Sequence, residues 1–216
     1  MAPLTVEIWS DVVCPWCYVG KRRFEKALAG FEHRDDVEVT WRSFELDPGA
    51  PQTRETGSAE HLASKYGTSL EEAQGRNQEM ERLAKDEGLE YHLDRTRGGN
   101  SFDAHRLVHL AAEHGRQDEM QERLMRAYFT EGEAIGDPET LVRIAVEMEI
   151  DPRGLLGDAF ADAVREDEEL ARRIGIRGVP FFVLNRRYGI SGAQPAELLR
   201  QALEKAWQDG PRTAAA

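Results

Sequence analysis

The sequence predicts an α/β protein in which a small sheet domain is interrupted by a large all-helical insertion. A strand-helix-strand pattern opens the chain, a long charged helical stretch follows, and two short strands and a helix close it. We expect residues 1–58 and 176–210 to form one discontinuous domain, residues 59–175 to form the insertion, and residues 211–216 to be a frayed tail. The chain has 216 residues, 40% hydrophobic and 31% charged, which is the composition of a folded protein.

The first unit is a strand, a helix and a second strand. Residues 4–10 alternate Leu, Val and Ile with Thr, Glu and Trp, which predicts a strand. Apolar residues then recur at helical spacing from Val19 to Phe31. A second alternating stretch, residues 37–46, ends at the turn sequence Asp-Pro-Gly.

The central block is charged and has helical periodicity. Residues 49–58 are rich in Pro, Thr, Gly and Ser and predict a linker into it. Helix starts are indicated by a capping box from Ser69 to Glu72 and by Asp-Pro pairs at Asp137 and Asp151. These signals predict several helices and no strand between the linker and residue 175.

Strand character returns near the end of the chain. Residues 181–184 are Phe-Phe-Val-Leu, and a short turn leads into residues 188–191, which together predict an antiparallel hairpin. Pro195 opens a last amphipathic helix. The complete order is that of a thioredoxin fold split by a helical domain.

Charge and hydropathy exclude several classes of function. The 28 Lys and Arg residues against 40 Asp and Glu give a formal charge of −12, which argues against nucleic acid and anionic membrane partners. The longest apolar run, residues 179–184, falls far short of the roughly 18 residues of a membrane helix. The opening residues do not resemble a secretory signal, so we expect a cytoplasmic protein.

The two cysteines, Cys14 and Cys17, form a C-P-W-C sequence between the first strand and the first helix. Residues three apart in a regular helix place their Cβ atoms about 5–6 Å apart, too far for a disulfide. Cys14 must therefore precede the helix, with Pro15 at its first position. The helix N-terminus favours a thiolate at Cys14, the nucleophile, and Cys17 is the resolving thiol.

A purely structural or metal-binding role suits these cysteines less well. If both thiols were only structural, their spacing by Pro and Trp at a strand-to-helix junction would be a coincidence. Zinc could join both cysteines to His105 and His109, which are four residues apart, but the histidines belong to the other predicted domain and no second C-x-x-C exists. We expect a redox-active dithiol and no metal. Pro180, within Gly-Val-Pro-Phe, should start its strand because a proline cannot donate to the ladder.

These motifs resemble the DsbA-like branch of the thioredoxin superfamily. The resemblance rests on C-P-W-C followed by G-V-P-F-F-V about 160 residues later. Residues 100–106, Asn-Ser-Phe-Asp-Ala-His-Arg, and residues 188–194, Tyr-Gly-Ile-Ser-Gly-Ala-Gln, are similar to the cytoplasmic FrnE-type subgroup. The resemblance implies that Pro180 follows a cis peptide bond and lies beside the dithiol, and that the Val179 main chain pairs with an extended substrate. It also implies that Cys14 is the attacking thiol and Cys17 the resolving thiol.

One feature departs from DsbA itself, which has a buried acid six residues before the first cysteine, where this chain has Ile8. Asp11 is the nearest carboxylate to Cys14, and it could relay protons or stabilise a turn. His105 could act near the dithiol or simply pack within the insertion. We expect Asn100, Phe102 and His105 to help decide what reaches the dithiol, although Asn100 could instead cap a helix.

The predicted function is thiol-disulfide exchange of the protein disulfide reductase or isomerase kind, on a disulfide-bearing protein or a small thiol or disulfide. No cofactor is expected beyond the dithiol, with a low-molecular-weight thiol as a candidate electron donor. Kappa glutathione transferases and 2-hydroxychromene-2-carboxylate isomerases resemble residues 100–106 but carry Ser where this chain has Cys14. A glutathione-dependent isomerase or transferase is therefore one alternative, and a peptide-binding module using Trp16 and Val179 is another.

Overall fold

A computed structural model describes residues 3–54 and 56–210 of the chain. The predicted frayed tail, residues 211–216, lies outside this range. The fold is a four-stranded mixed sheet with helices packed on it, so the predicted α/β thioredoxin-like class is confirmed. The elements in chain order are β1 (Leu4–Ser10), α1 (Pro15–Ala29), β2 (Val37–Ser43), α2 (Ser58–Tyr66), α3 (Leu70–Asp86), α4 (Phe102–Glu113), α5 (Gln117–Arg126), α6 (Pro138–Glu147), α7 (Ala161–Ile174), β3 (Phe181–Leu184), β4 (Tyr188–Ser191) and α8 (Ala196–Asp209).

The sheet has the strand order β2-β1-β3-β4. β1 pairs in parallel with β2 and antiparallel with β3, and β3 forms the predicted hairpin with β4. β2 ends at Ser43, whereas the alternation predicted a strand to residue 46. The prediction was wrong because Ser43 pairs with Ser10, which is the last residue of β1, so the pairing ends there.

β1 is buried on both faces, as expected for a central strand. Ile8 is fully buried in the main core, where the Phe24 and Phe182 rings lie 5.7 Å apart. Trp9 lies in a different cluster, and its Nε1 donates to the Asp167 carbonyl of α7 at 3.0 Å. Helices therefore cover both sides of the sheet, and the end of β1 is held rigidly where α1 begins.

The helix-start signals had different outcomes. The capping box from Ser69 to Glu72 is formed in both directions, and Asp137 caps α6 by accepting from the Thr140 amide. Asp151 caps only a short 3₁₀ helix, Pro152–Leu155, so its prediction as an α-helix start was wrong. The chain becomes extended at Leu156, and α7 begins only at Ala161.

Helices α2 to α7 lie between β2 and β3 along the chain, and the way they pack on the sheet positions the site. α5 packs on β2 and α7 packs on the same strand, while α4 lies against α5, α6 and α7. The division of the chain into a sheet domain and an insertion domain stays a prediction. In the described ranges, none of the helices is long and apolar enough to cross a membrane.

Candidate active site

The two cysteines lie at the start of α1, directly after β1. Cys14 is the N-cap residue with extended backbone dihedrals, and Pro15 occupies the first helical position, as predicted. Both cysteines are free thiols, and the Cys17 amide donates to the Cys14 carbonyl at 3.0 Å. The non-helical backbone at Cys14 removes the geometric obstacle that a regular helix sets against a disulfide between them.

The thiols differ in environment. Cys14 is 4% exposed and lines a cavity, whereas Cys17 is 1% exposed and lies behind it. Burial, together with the neighbouring Cys14, raises the pKa of Cys17 well above its usual value, and contacts with the Asp11 main chain and the Ser10 side chain oppose that rise only in part. Cys17 is therefore held as a thiol.

Pro180 lies beside the dithiol, after a peptide bond to Val179 that is cis, as the resemblance implied. The Cys14 thiol donates to the Val179 carbonyl at a distance of 3.7 Å. Pro180 is buried against α1 at Gly20, where an added Cβ would lie 2.8 Å from the proline Cγ. The structure thus brings Cys14, Val179 and Pro180 together, while pairing of Val179 with a substrate stays a prediction.

A cavity of about 680 Å³ opens beside Cys14. Trp16, 46% exposed, forms part of its rim, and Val179 forms part of its wall. After α5 the helix widens into a π-helical segment, Ala127–Glu131, that places Tyr128 and Phe129 in the lining. Such π-helical turns are frequent at functional sites. Helix α2 also contributes Leu62 to the lining, and α3 contributes Met80 and Leu83.

One wall of the cavity is basic, although the protein is acidic overall. Arg54, Lys65 and Arg76 line it, and Arg54 is paired with Asp47 at 3.1 Å. Burial and the neighbouring Arg54 and Lys65 cations lower the pKa of His61, which also lines this wall. Asp11, Asp47 and Glu79 also line the cavity, so the basic side chains of this wall lie near carboxylates as well as near Cys14.

Three residues predicted to bind substrate lie outside the cavity lining. Asn100 accepts from the Phe102 amide at 2.8 Å and donates to Glu45 at 3.1 Å, so it stabilises the first turn of α4. The Phe102 ring stacks under Arg165 at 4.2 Å. His105 is 2% exposed and lies behind Asp11. Their roles in substrate binding stay predictions.

Sequence reasoning missed several residues around the dithiol. The Tyr91 hydroxyl donates to the Pro15 carbonyl at 2.9 Å, inside the C-P-W-C segment. Gln121 of α5 donates to the Ser10 hydroxyl at 3.2 Å, and both are buried. No local pattern marks these residues, since each contact joins positions far apart in sequence. A glycine inside an amphipathic helix was the one available signal, and Gly20 now has its explanation in Pro180.

The histidines weighed as zinc ligands point to different partners. His105 Nε2 lies 3.4 Å from Asp11, whereas His109 Nε2 lies 3.1 Å from both Asp167 and Ser43. Over residues 3–54 and 56–210, no cluster of three or more His, Cys, Asp or Glu side chains is arranged to hold a metal ion.

A thioredoxin-like sheet with a Cys-Pro-Trp-Cys helix start and an adjacent cis proline defines a class of dithiol protein. The family description "DSBA-like thioredoxin domain" matches residues 5–204, and the chain belongs to this family. It is an enzyme of the oxidoreductase or isomerase kind.

Individual relatives agree with this assignment. The chain is similar to the crystal structure of a probable DsbA oxidoreductase, SCO1869, from Streptomyces coelicolor, with 47% identity and a TM-score of 0.92 over 99% of this chain and 94% of that one. It is 28% identical to YwbO of Bacillus subtilis strain 168, over 92% of this chain and 94% of that protein. The cytosolic disulfide reductase DsbM from Pseudomonas aeruginosa, solved with GSH, shares the fold at 19% identity and a TM-score of 0.65, covering 94% and 99% of the two chains.

Proposed function

We propose that the protein is a thiol-disulfide oxidoreductase of the protein disulfide reductase or isomerase kind. The observation that carries the proposal is the asymmetry of its two free thiols. Cys14 begins a helix and lines a cavity, whereas Cys17 is buried one turn further along. Such an arrangement suits one thiol that attacks and a second that resolves.

The exchange needs two displacements. The Cys14 thiolate attacks one sulfur of a substrate disulfide, a mixed disulfide forms, and the other substrate sulfur leaves as a thiolate that takes a proton from solvent. Cys17, after losing its proton, attacks Cys14, so the Cys14-Cys17 disulfide forms and the second substrate sulfur leaves. The substrate is reduced by two electrons and the dithiol is oxidised. The raised pKa of Cys17, caused first by its burial, keeps it protonated until the mixed disulfide has formed.

The surroundings of Cys14 support two kinds of substrate. A protein disulfide can lie across the exposed Trp16 and the Val179 main chain beside Pro180, which we assign to substrate binding. A small anionic disulfide or thiol fits the cavity with its basic wall, and a low-molecular-weight thiol of this charge is our proposed electron donor. The dithiol is the redox group in this proposal, with no metal or other cofactor.

We propose the FrnE-type cytoplasmic subgroup and a net reducing direction. In a reducing compartment most dithiols of this family stand reduced, which favours reduction or isomerisation over bulk oxidation. The cytosolic disulfide reductase DsbM, which shares the fold, supports the same compartment and direction. Substrate binding and the net direction of exchange can be tested separately, because the reduction potential of the dithiol affects only the direction.

The test compares the wild-type protein with Cys14→Ser and Cys17→Ser variants. Insulin is the protein substrate, with an excess dithiol to re-reduce the enzyme. We expect Cys14→Ser to lose insulin reduction, and Cys17→Ser to accumulate mixed disulfides detectable by intact-mass measurement. Circular dichroism spectra of all three proteins control for folding.

Three outcomes would contradict the proposal. Equal partial activity of the two single variants would refute the assigned roles. Full turnover by Cys17→Ser in a glutathione-dependent isomerisation of a small aromatic substrate would instead favour the single-cysteine alternative. Peptide binding that survives loss of both cysteines, without any exchange activity, would favour a binding module.

A further inference from the structure

Within the part of the chain that the structure describes, α2 is the one α-helix without a buried residue. Each of the other α-helices buries at least three residues. α2 is nine residues long, and α3 is its main packing partner. A helix this short is marginal on its own and depends on packing for its stability. α2 is therefore the α-helix that tertiary packing holds least firmly.

One face of α2 nonetheless forms part of the cavity beside Cys14. The residues of α2 that line it are three or four positions apart: Ser58, His61, Leu62, Lys65 and Tyr66. Positions with this spacing lie on the same side of a helix, so α2 presents one whole face to the cavity. A side-chain hydrogen bond from Asn77 of α3 to the Ser58 hydroxyl, at 3.2 Å, links the first turn of α2 to its neighbour.

Both ends of α2 are glycines. Gly57 is the N-cap residue and has no side chain with which to cap the helix. Gly67 ends the helix in the left-handed conformation, with a φ of 63°, which favours glycine. Hinges are typically a few residues at the ends of an element. Rotation at these two glycines would move α2 as a unit and keep its internal hydrogen bonds.

The linker that leads to α2 is, by contrast, held in place. Two main-chain hydrogen bonds join it to the segment before α4: the Arg54 amide donates to the Gly98 carbonyl at 2.7 Å, and the Asn100 amide donates to the Pro51 carbonyl at 2.9 Å. A Cβ at Gly99 would collide with the linker main chain, so glycine permits this close approach. The segment that ends at Asn100 thus fixes the point from which α2 extends.

The cavity that α2 borders suits a small molecule. Cys14 is 4% exposed and lines the cavity, so a disulfide must enter it to reach the Cys14 sulfur. Its volume of about 680 Å³ is typical of a small-molecule site. A disulfide within a protein carries main chain on both sides and needs a wider opening. Met80 of α3 and Phe129 after α5 are buried, so α2 is the part of the lining that is free to yield.

We propose that α2 is a movable flap that decides the size of the disulfide that reaches Cys14. This inference deepens the proposed exchange function and depends on it. With α2 against the cavity, a small disulfide reaches Cys14. A protein disulfide reaches Cys14 only after α2 has turned away at Gly57 and Gly67. Both substrates undergo the same displacement at Cys14, so the flap sets selectivity and leaves the chemistry unchanged.

A fixed wall is the competing hypothesis, and hydrogen exchange separates the two. The full-length Cys17→Ser variant retains its substrate as a mixed disulfide on Cys14. One sample is treated with dithiobis(nitrobenzoate) and carries thionitrobenzoate. A second is treated with a ubiquitin variant whose one surface cysteine is activated as its thionitrobenzoate disulfide, and it carries ubiquitin after thionitrobenzoate has left. Mass spectrometry then follows amide exchange in α2 of both samples and of the uncoupled variant.

The flap predicts opposite changes in the two samples. Relative to the uncoupled variant, we expect the α2 amides to exchange about threefold more slowly with thionitrobenzoate attached, because the helix packs on it. With ubiquitin attached we expect them to exchange about threefold faster, because the helix is turned away from the cavity. α8, which contributes no residue to the lining, is the internal control and should exchange equally in all three samples.

Leu62→Ala gives an independent kinetic readout. Leu62 lies in the middle of the cavity face of α2, and its truncation removes apolar contact that holds the flap down. We expect the rate of insulin reduction, divided by that of dithiobis(nitrobenzoate) reduction, to rise about threefold. Ser64→Ala, an exposed position of α2 outside the lining, is the matched control and should keep the wild-type ratio.

The outcomes separate this inference from the proposed function. A Cys17→Ser protein that forms neither mixed disulfide would refute thiol-disulfide exchange itself. Mixed disulfides that form normally but show equal exchange in α2 would refute only the flap. An unchanged rate ratio in a folded Leu62→Ala protein would also overturn it. If Leu62→Ala does not fold, the hydrogen-exchange comparison alone decides.

Discussion

Gly20 leaves the space that the Pro180 ring fills: a Cβ added to Gly20 would lie 2.8 Å from the proline Cγ and 3.3 Å from its Cβ. Gly20 is inside α1, one turn after Cys17, where glycine costs about 1 kcal/mol relative to alanine. The close packing of α1 against Pro180 leaves no room for a side chain at position 20, which explains the glycine inside this helix. The contact links the position of the helix to that of the Val179 carbonyl.

We predict that Gly20→Ala destabilises the protein by about 1–3 kcal/mol, because the overpacking against Pro180 outweighs the gain in helix propensity. Gly75→Ala, in α3 with no atom within 4 Å of the added Cβ, is the matched control and should stabilise by up to about 1 kcal/mol. Urea unfolding of both variants measures the difference. A Gly20→Ala protein as stable as Gly75→Ala would show that the close approach is absent.

The hydrogen bond from Tyr91 to the Pro15 carbonyl gives a second prediction. Tyr91→Phe keeps the ring stacked on Phe129, at a centroid distance of 4.6 Å, but removes the hydroxyl. The Pro15 carbonyl would lose its Tyr91 donor in a partly buried place, so we expect the free energy of unfolding to fall by about 0.5–1.5 kcal/mol. Tyr66→Phe, at a 59% exposed position, should change it by much less. Equal values for the two variants would contradict a stabilising hydrogen bond.

Local patterns were sufficient to predict the dithiol and its helix. The alternation of β1, the proline after Cys14 and the helical spacing beyond it all act within a few residues, so each could be recognised from the sequence alone. The cis peptide at Pro180 could not be derived in this way, because sequence motifs carry no isomer information at a single X-Pro bond. The family resemblance supplied that expectation.

The remaining parts of the site depend on contacts between distant segments. Nothing near His105 in the sequence marks Asp11 as its partner, because helix packing brings α4 behind β1. Phe102 is expected to help decide what reaches the dithiol, and this stays a prediction; its contact with Arg165 of α7 could not be foreseen from the sequence. Asp151 is a separate case. Its capping signal is real, but the helix that it starts is only a short 3₁₀ helix. Helix length there is decided by tertiary packing, which overrides the local signal.

Acid should weaken the partly buried ion pairs between α1 and α5. Burial would raise the pKa of Glu122, but hydrogen bonds from Arg22 and Tyr18 and the Lys21 charge lower it below the usual 4.5. A carboxylate with a lowered folded-state pKa contributes stability above the unfolded value, and loses it as pH falls through the folded value. We therefore predict that Glu122→Gln costs about 1–2 kcal/mol at neutral pH and that this difference shrinks below about pH 4.5.

Chemical denaturation between pH 3 and 7 measures this difference, and Glu119→Gln serves as the control. Glu119 is on the same helix with a 58% exposed side chain paired to Arg116, so its loss should change stability by less than about 0.5 kcal/mol. A cost of Glu122→Gln that does not change with pH would show that packing of the side chain, and not its charge, stabilises the contact.

The basic wall of the cavity should select for charge in small substrates. Lys65 and Arg76 line the cavity beside Cys14, and their cations raise the local concentration of an anionic disulfide. We predict that Lys65→Gln and Arg76→Gln each raise the KM for dianionic dithiobis(nitrobenzoate) by about threefold at low salt, and that added salt reduces the effect. The KM for neutral dithiodipyridine should stay unchanged. Arg82→Gln, an exposed position of α3 outside the lining, is the matched control. Equal changes for the anionic and the neutral disulfide, or an Arg82→Gln effect as large as that of Arg76→Gln, would show that overall charge and not the cavity wall attracts the substrate.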